Sequence, residues 1–451
     1  MWWLLLACAW RGHVKDGDHW MESNNPGAAA RAYSKAHDQR PDDATIALKL
    51  AQARLAADLP AEALPLAEQA HQSGAEGAEA VYIEVLVRTL RVEQALDLLG
   101  DDPAPELLPL AAEAWIAMGD LEKASDALSR AEPTPTNKAA HAYVEARLGR
   151  REALDALTPE VADWFDVSAD AWGDVGAAHL ALGHLDDGFA AGAQALANEP
   201  VLLQGGGAQE NWLLHAGKAE EASRTETAMR LTYRAASVNP EDAQLAWDLG
   251  RRLVHGGELS LGALWLEKAL VTPPFNDPET TSGVATVGTQ GLGRTDRDQI
   301  RRQIALKLAE TYVTLKRPED EVRAAQVVVE SEEPPSADSL MRLSYACTRA
   351  GQHLASADAA QAAYQAQHPA AAQQAARAYA AQGNLTTAIG WANTALDEDP
   401  TNADLALLLA QLYAADRRYQ AAIEVLDSAQ EANPNDVRLN QAQQRIYSAA
   451  L

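Results

Sequence analysis

Cysteine is nearly missing from this chain: Cys8 and Cys347 are the only two in 451 residues. Two thiols cannot build a disulfide framework, so the fold has to rest on packing. Cations are scarce too, with 37 Lys and Arg against 64 Asp and Glu and a net charge of −27. A surface that acidic repels phosphate backbones, because nucleic-acid binding leans on clustered cations that release counterions. No nucleic-acid partner is expected. No apolar run approaches the ~20 residues that a spanning helix needs. Gly-x-Ser-x-Gly, Cys-x-x-Cys and a glycine-rich strand-to-helix turn are all lacking. Their absence removes the plainest signs of nucleophilic, thiol-metal and nucleotide chemistry. Disorder is excluded as well, since 47% of the residues are hydrophobic.

What the chain does have is a period. Pro240 and Pro274 stand 34 residues apart, as do Pro400 and Pro434. Ahead of Pro434 come Ala410, Tyr413, Tyr419, Ala422, Leu426 and Ala429. One period earlier, Ala376, Tyr379, Leu385, Ala388, Ala392 and Ala395 precede Pro400. Gly250, Leu253, Leu259, Gly262, Leu266 and Ala269 precede Pro274 in the same register, and Gly17, Trp20, Ala29, Tyr33 and Ala36 precede Pro41. Small residues at two fixed places let a pair of helices approach closely, while large ones fill the space beside them. Proline lacks an N–H and cannot continue the second helix. One such hairpin cannot bury its apolar face alone, so neighbours must stack.

This pattern resembles the tetratricopeptide repeat. The resemblance implies an all-α fold, a solenoid of stacked antiparallel helix pairs forming a superhelix. In this phase the units start near residues 10, 44, 76, 105, 134, 169, 203, 243, 302, 337, 369 and 403. Turns between the two helices of a unit show as Met118-Gly119-Asp120, Leu182-Gly183-His184, Gly256-Gly257-Glu258, Ala350-Gly351-Gln352 and Gln382-Gly383-Asn384. Pro200 and Pro240 are 40 residues apart, which suggests a longer second helix through residues 220–237. Residues 436–450 read as a capping helix. The expected organisation is a segment 1–8, a repeat array over 10–274, an insertion over 275–299, and a second array with its cap over 300–451. The insertion is rich in Gly and Thr. It carries Gly293-Arg294-Thr295 where a phosphate-cradling loop needs Gly-Lys-Ser/Thr, so it reads as an exposed connection.

Leu5-Leu6-Ala7-Cys8 resembles the end of a bacterial lipoprotein signal, in which the cysteine becomes lipidated. It departs from that pattern at Leu6, and no Lys or Arg precedes the apolar stretch. The resemblance implies a tether through Cys8 to a bacterial envelope membrane; the alternative is a cytoplasmic protein whose first residues pack on the first repeat. Cys347 falls at an apolar helix position and reads as an inert core residue.

No catalytic set emerges. His179 and His184 are five apart, a spacing that does not align them on one helical face, and they straddle a predicted helix end at Gly183. They read as surface or packing histidines, and neither a metal nor a cofactor is expected. The repeats consume nearly the whole length, so the chain is expected not to be an enzyme.

Binding remains. The resemblance implies that the first helix of each unit lines a groove for a protein or peptide segment. In the N-terminal array that groove offers Asp18, Glu22, Glu84, Glu106, Glu113 and Asp170. In the C-terminal array it offers Trp247, Arg251, His255, Met341, Tyr345, Arg349 and Arg377. Arginines gathered in so acidic a chain, among Trp and Tyr, suit a partner that is apolar and carries acidic residues. The expected function is a non-catalytic interaction scaffold. Two alternatives stand beside a membrane-tethered assembly factor: a soluble adaptor, and an accessory subunit of an envelope enzyme complex.

Overall fold

A computed structural model describes residues 9–158, 160, 161, 164, 167–197, 208–273 and 294–450. Among these there are 25 α-helices, one short 3-10 helix at Pro105–Leu107 and no strand. The all-α expectation holds. The chain divides into two compact units, residues 1–245 and 246–451.

The first unit holds α1 (Ala9–Glu22), α2 (Pro26–Gln39), α3 (Ala44–Ala56), α4 (Pro60–Gln72), α5 (Ala78–Arg88), α6 (Val92–Leu99) and α7 (Leu108–Met118). It continues with α8 (Leu121–Arg130), α9 (Pro135–Arg147), α10 (Glu152–Leu157), α11 (Ala169–Ala181), α12 (Leu185–Ala197), α13 (Ala208–Glu221) and α14 (Thr225–Val238). The boundary falls inside α15 (Ala243–His255). The second unit continues with α16 (Leu259–Val271), α17 (Arg294–Leu315), α18 (Pro318–Glu330), α19 (Ala337–Arg349), α20 (His353–Gln365) and α21 (Ala371–Gln382). Then come α22 (Leu385–Glu398), α23 (Ala403–Ala415), α24 (Tyr419–Ala432) and α25 (Val437–Ala450). Successive helices pack as pairs and each pair packs on the next, from α1 to α5 and again from α16 to α25.

The turn inside each pair repeats one backbone form. Gly119, Gly183, Gly257, Gly351 and Gly383 all have φ between +71° and +89°. Asn24, Asp58, Leu90, Ser223, Lys316 and Arg417 hold the same left-handed conformation at the equivalent place without being glycine. The following N–H closes the helix by reaching back five residues, as in Leu59 N to Arg54 O at 2.8 Å and Asn384 N to Tyr379 O at 2.9 Å.

Close approach is the second constant. A Cβ added to Gly17 would lie 2.4 Å from the Tyr33 ring, and one added to Gly250 would lie 2.8 Å from a Leu266 methyl. At Gly262 it would meet Val254 Cγ2 at 2.6 Å and the Val254 backbone nitrogen at 2.9 Å. Ala388, at the same repeat position as Gly262, is fully buried. α25 seats Leu439 and Ile446 against the apolar side of α23 and α24, as a cap should.

Two expectations need correction. The stretch 220–237 is not one long helix. α13 stops at Glu221, Ser223 turns left-handed, and the Arg224 N–H bonds Ala219 O at 2.7 Å before α14 begins. The insertion also ends sooner than expected, because residues 294–299 are already the first turns of α17. Past Gly293 the sequence turns from Gly and Thr to Arg, Asp and Gln, which a helix accepts more readily. The rest of that insertion and Cys8 lie outside the described residues.

Gly262→Ala should therefore destabilise the chain, by about 1–3 kcal/mol if the α15–α16 contact behaves as an overpacked core. Gly390 in α22 faces open space, and Gly390→Ala should stabilise by about 0.5–1 kcal/mol. Paired thermal unfolding scans check both signs; equal melting of the two variants would remove the assigned register.

Candidate functional site

Unit 1 presents carboxylates from the first helices of two of its repeats: Glu113 on α7 and Asp170 and Asp174 on α11. They face one helix of their own chain. α14 carries Arg230 and Arg234, four residues apart and hence on one helical face. Arg230 donates from Nε to Asp174 at 2.8 Å and from Nη1 to both Glu113 oxygens at 2.7 and 2.8 Å, and its Nη2 also bonds Asp174. Arg234 donates to Asp174 at 2.7 Å and to Asp170 at 2.8 Å. Asp174 is fully buried and Arg230 is 4% exposed. On α13, the Trp212 indole N–H reaches Asp170 at 2.9 Å.

The same hairpin touches repeats far back in the chain. His215 lies 2.7 Å from Asp58 in the α3–α4 turn, and Arg224 donates to Glu93 of α6 at 2.6 Å. Arg147 of α9 donates to Glu226 at 2.7 Å. Glycines make the seat. A Cβ at Gly192 of α12 would fall 2.0 Å from the Ser237 carbonyl oxygen, and one at Gly176 of α11 would lie 2.8 Å from the Ser237 Cβ.

Burial alone would raise the Asp174 pKa, but the Arg230 and Arg234 guanidiniums outweigh it and hold the carboxyl down to about 2. Burial pushes the Tyr143 hydroxyl up; it lies under Arg230, whose guanidinium carbon is 5.6 Å from the ring centroid.

Of the six carboxylates expected to line the N-terminal groove, four are engaged inside the unit. Asp18 binds Lys49 and Tyr33, Glu84 binds Arg88, Glu113 binds Arg230, and Asp170 binds Arg234 and Trp212. Glu22 and Glu106 are exposed. Sequence reasoning did not find the hairpin that takes Glu113 and Asp170, and the one available signal was the pair Arg230 and Arg234 at helical spacing in an acidic chain.

The residues expected for a C-terminal groove are placed as follows. Trp247, Arg251 and His255 recur every fourth residue along α15; Trp247 is half-buried while Arg251 and His255 are exposed. Arg251 sits 6.0 Å from the Trp247 ring centroid and 3.3 Å from Asp248. On α19, Tyr345 is 39% exposed, and Arg349 donates from Nε at 2.9 Å to Glu321, itself buried in α18. Arg377 on α21 is exposed. Met341 is a correction. It is 2% exposed and packs on Ala363 and Ala371, because the start of α19 is covered by the following pair while its end emerges. Cys347 is buried as expected, and burial pushes its thiol up.

The two histidines meet at the turn between α11 and α12. His179, His184 and Asp187 bring their ligand-type atoms within 4.8 Å of one another, because the turn at Gly183 does what the five-residue spacing cannot do on a single helix.

Residues 17–79 and 379–446 each match a family model described as tetratricopeptide repeat. The chain carries tetratricopeptide repeats. No curated protein matches it in sequence. Among solved structures it is similar to YrrB, "a TPR protein with an unusual peptide-binding site", at 18% identity over 47% of this chain and 97% of that one, TM-score 0.34. MamA is similar at 18% identity over 42% and 98%, TM-score 0.32. A tetratricopeptide repeat protein from Parabacteroides merdae is similar at 11% identity over 62% and 98%, TM-score 0.26. The repeats of this chain stand on its own helix pairs, turns and close contacts. Among the described residues no helix is long and apolar enough to cross a membrane.

Asp174→Ala leaves two buried arginines short of their shared partner and should cost about 3–5 kcal/mol in urea unfolding. Because the folded pKa of Asp174 lies below the ordinary carboxylate value, its contribution is complete above about pH 4 and is lost as pH falls toward 2. The variant should therefore lose less stability than the parent over that acid range. Asp126→Ala, which removes one exposed partner of Arg130, should leave the midpoint unchanged.

Proposed function

We propose that the chain is a non-catalytic interaction scaffold whose repeats in residues 246–451 hold a partner segment that is apolar and acidic. One observation carries this reading. Unit 1 engages Glu113, Asp170 and Asp174 of its first helices with its own hairpin, whereas in the other unit His255, Tyr345 and Arg377 stay exposed on first helices. Arginine and tyrosine combine large contact area with polar ends, which is why they recur as binding hot spots. A carboxylate of the partner would take Arg377 as a charge-assisted hydrogen bond, and Trp247 and Tyr345 would cover its apolar side chains. Arg349 is the weaker contributor, since Glu321 already holds it. Repeats of this kind serve protein–protein interaction, and YrrB is described as having a peptide-binding site. The scaffold would be tethered to a bacterial envelope membrane through lipidated Cys8.

Selection of random peptides on the immobilised chain tests the groove. Peptides rich in Asp, Glu and large apolar residues should be recovered, and Arg377→Glu with Tyr345→Ala should lose them while keeping helicity and melting temperature. Basic peptides, or equal recovery by the double variant, would contradict the reading. In a bacterial host, Cys8→Ser should move the protein from the membrane to the soluble fraction. Unchanged fractionation would favour the cytoplasmic alternative.

A further inference from the structure

The turn between α11 and α12 gathers three side chains of metal-ligand type. His179 lies in the last turn of α11, His184 just precedes α12, and Asp187 stands in its first turn. Gly183 takes φ +81° there, and the His184 N–H bonds the His179 carbonyl at 2.9 Å. The reversal folds the second histidine and the aspartate back over the first, and the ligand-type atoms come within 4.8 Å of one another. His179 is half-buried, and its Nδ1 is closed off from solvent with no hydrogen-bond partner among the described residues. A buried ring nitrogen without a partner is costly, and most such atoms are satisfied. His184 and Asp187 are exposed, and the His184 ring centroid lies 6.0 Å from that of His179.

We propose that His179, His184 and Asp187 form a binding site for a divalent transition-metal ion, with Zn²⁺ as the fitting occupant. Two imidazoles and one carboxylate suit zinc, whereas magnesium and calcium favour oxygen donors alone. Zinc bonds of about 2.0–2.2 Å bring tetrahedral ligand atoms to roughly 3.3–3.5 Å from one another. Binding draws the two exposed side chains, His184 and Asp187, inward by that difference. Water fills the fourth position. Asp155 of α10 lies within electrostatic reach of both imidazoles, although Arg151 holds it at 2.8 Å and offsets its charge. Bound metal ties the end of α11 to the start of α12, in the helix pair that seats Ser237 of α14, and stabilises the chain by mass action.

Calorimetric titration of the chelator-treated full chain with Zn²⁺ tests the site. One saturable high-affinity equivalent is expected in the parent. His184→Ala and Asp187→Asn should each weaken it by about tenfold or more with unchanged helicity. His71→Ala, in the α4 ring that stacks on Tyr82, should leave it intact. Co²⁺ gives a second readout: visible absorption of a four- or five-coordinate ion in the parent and its loss in His184→Ala. No saturable uptake, or equal uptake by the parent and both variants, overturns the site.

Discussion

An added Cβ at Gly262 would lie 2.9 Å from the Val254 nitrogen and 3.1 Å from the Gly250 carbonyl oxygen, so the two helices of that repeat pack nearly backbone to backbone. Alanine does the same work at Ala388 and Ala422, both fully buried. With so little side chain between helices, the apolar filling moves to the flanks, where Tyr33 and Leu266 pack against the small residues across the gap. This explains how a chain with three phenylalanines builds a core. Dispersion from many alanine contacts replaces a few large rings. It also fixes the turn, since helices that close require a short reversal, and the left-handed residue before the second helix supplies it.

The ionic knot in unit 1 follows from the same geometry. Gly173, Gly176 and Gly192 open a bed into which α14 settles, and that depth removes Asp174 and Arg230 from water. Buried charges are costly to desolvate, and the cost is offset only when every donor and acceptor is matched. Here Asp174 receives bonds from two guanidiniums, while Glu113 takes a further donor of Arg230 and Asp170 one of Arg234. Such a set tolerates one placement of α14 and penalises shifts along its axis. The hairpin thereby occupies carboxylates that would otherwise face a partner.

Much of this was legible in the sequence, and the reasons for the rest are physical. Turns announced by Gly119, Gly183, Gly257, Gly351 and Gly383 could be read directly. Those at Leu90, Ser223 and Lys316 have the same backbone but a residue that does not advertise it, so the sequence does not mark those turns. The long-helix expectation for 220–237 failed at one of these, Ser223. Met341 and Tyr345 are four apart and share a face, yet one is 2% and the other 39% exposed, because burial varies along a helix as well as around it. The hairpin contacts were out of reach of periodicity. Arg230 meets Asp174 across 56 residues and His215 meets Asp58 across 157. The approach of His179 to His184 was out of reach for a simpler reason: spacing rules for one helix do not apply across a turn.

Backbone hydrogen exchange in the full chain tests most directly whether unit 1 holds α14 against its own acidic helices. The amides of α14 should be protected to the same degree as those of α11, since opening either one exposes Asp174 and both arginines together. Exchange across residues 225–238 as fast as in an isolated helix, with α11 still protected, would contradict the account and return those carboxylates to the binding surface.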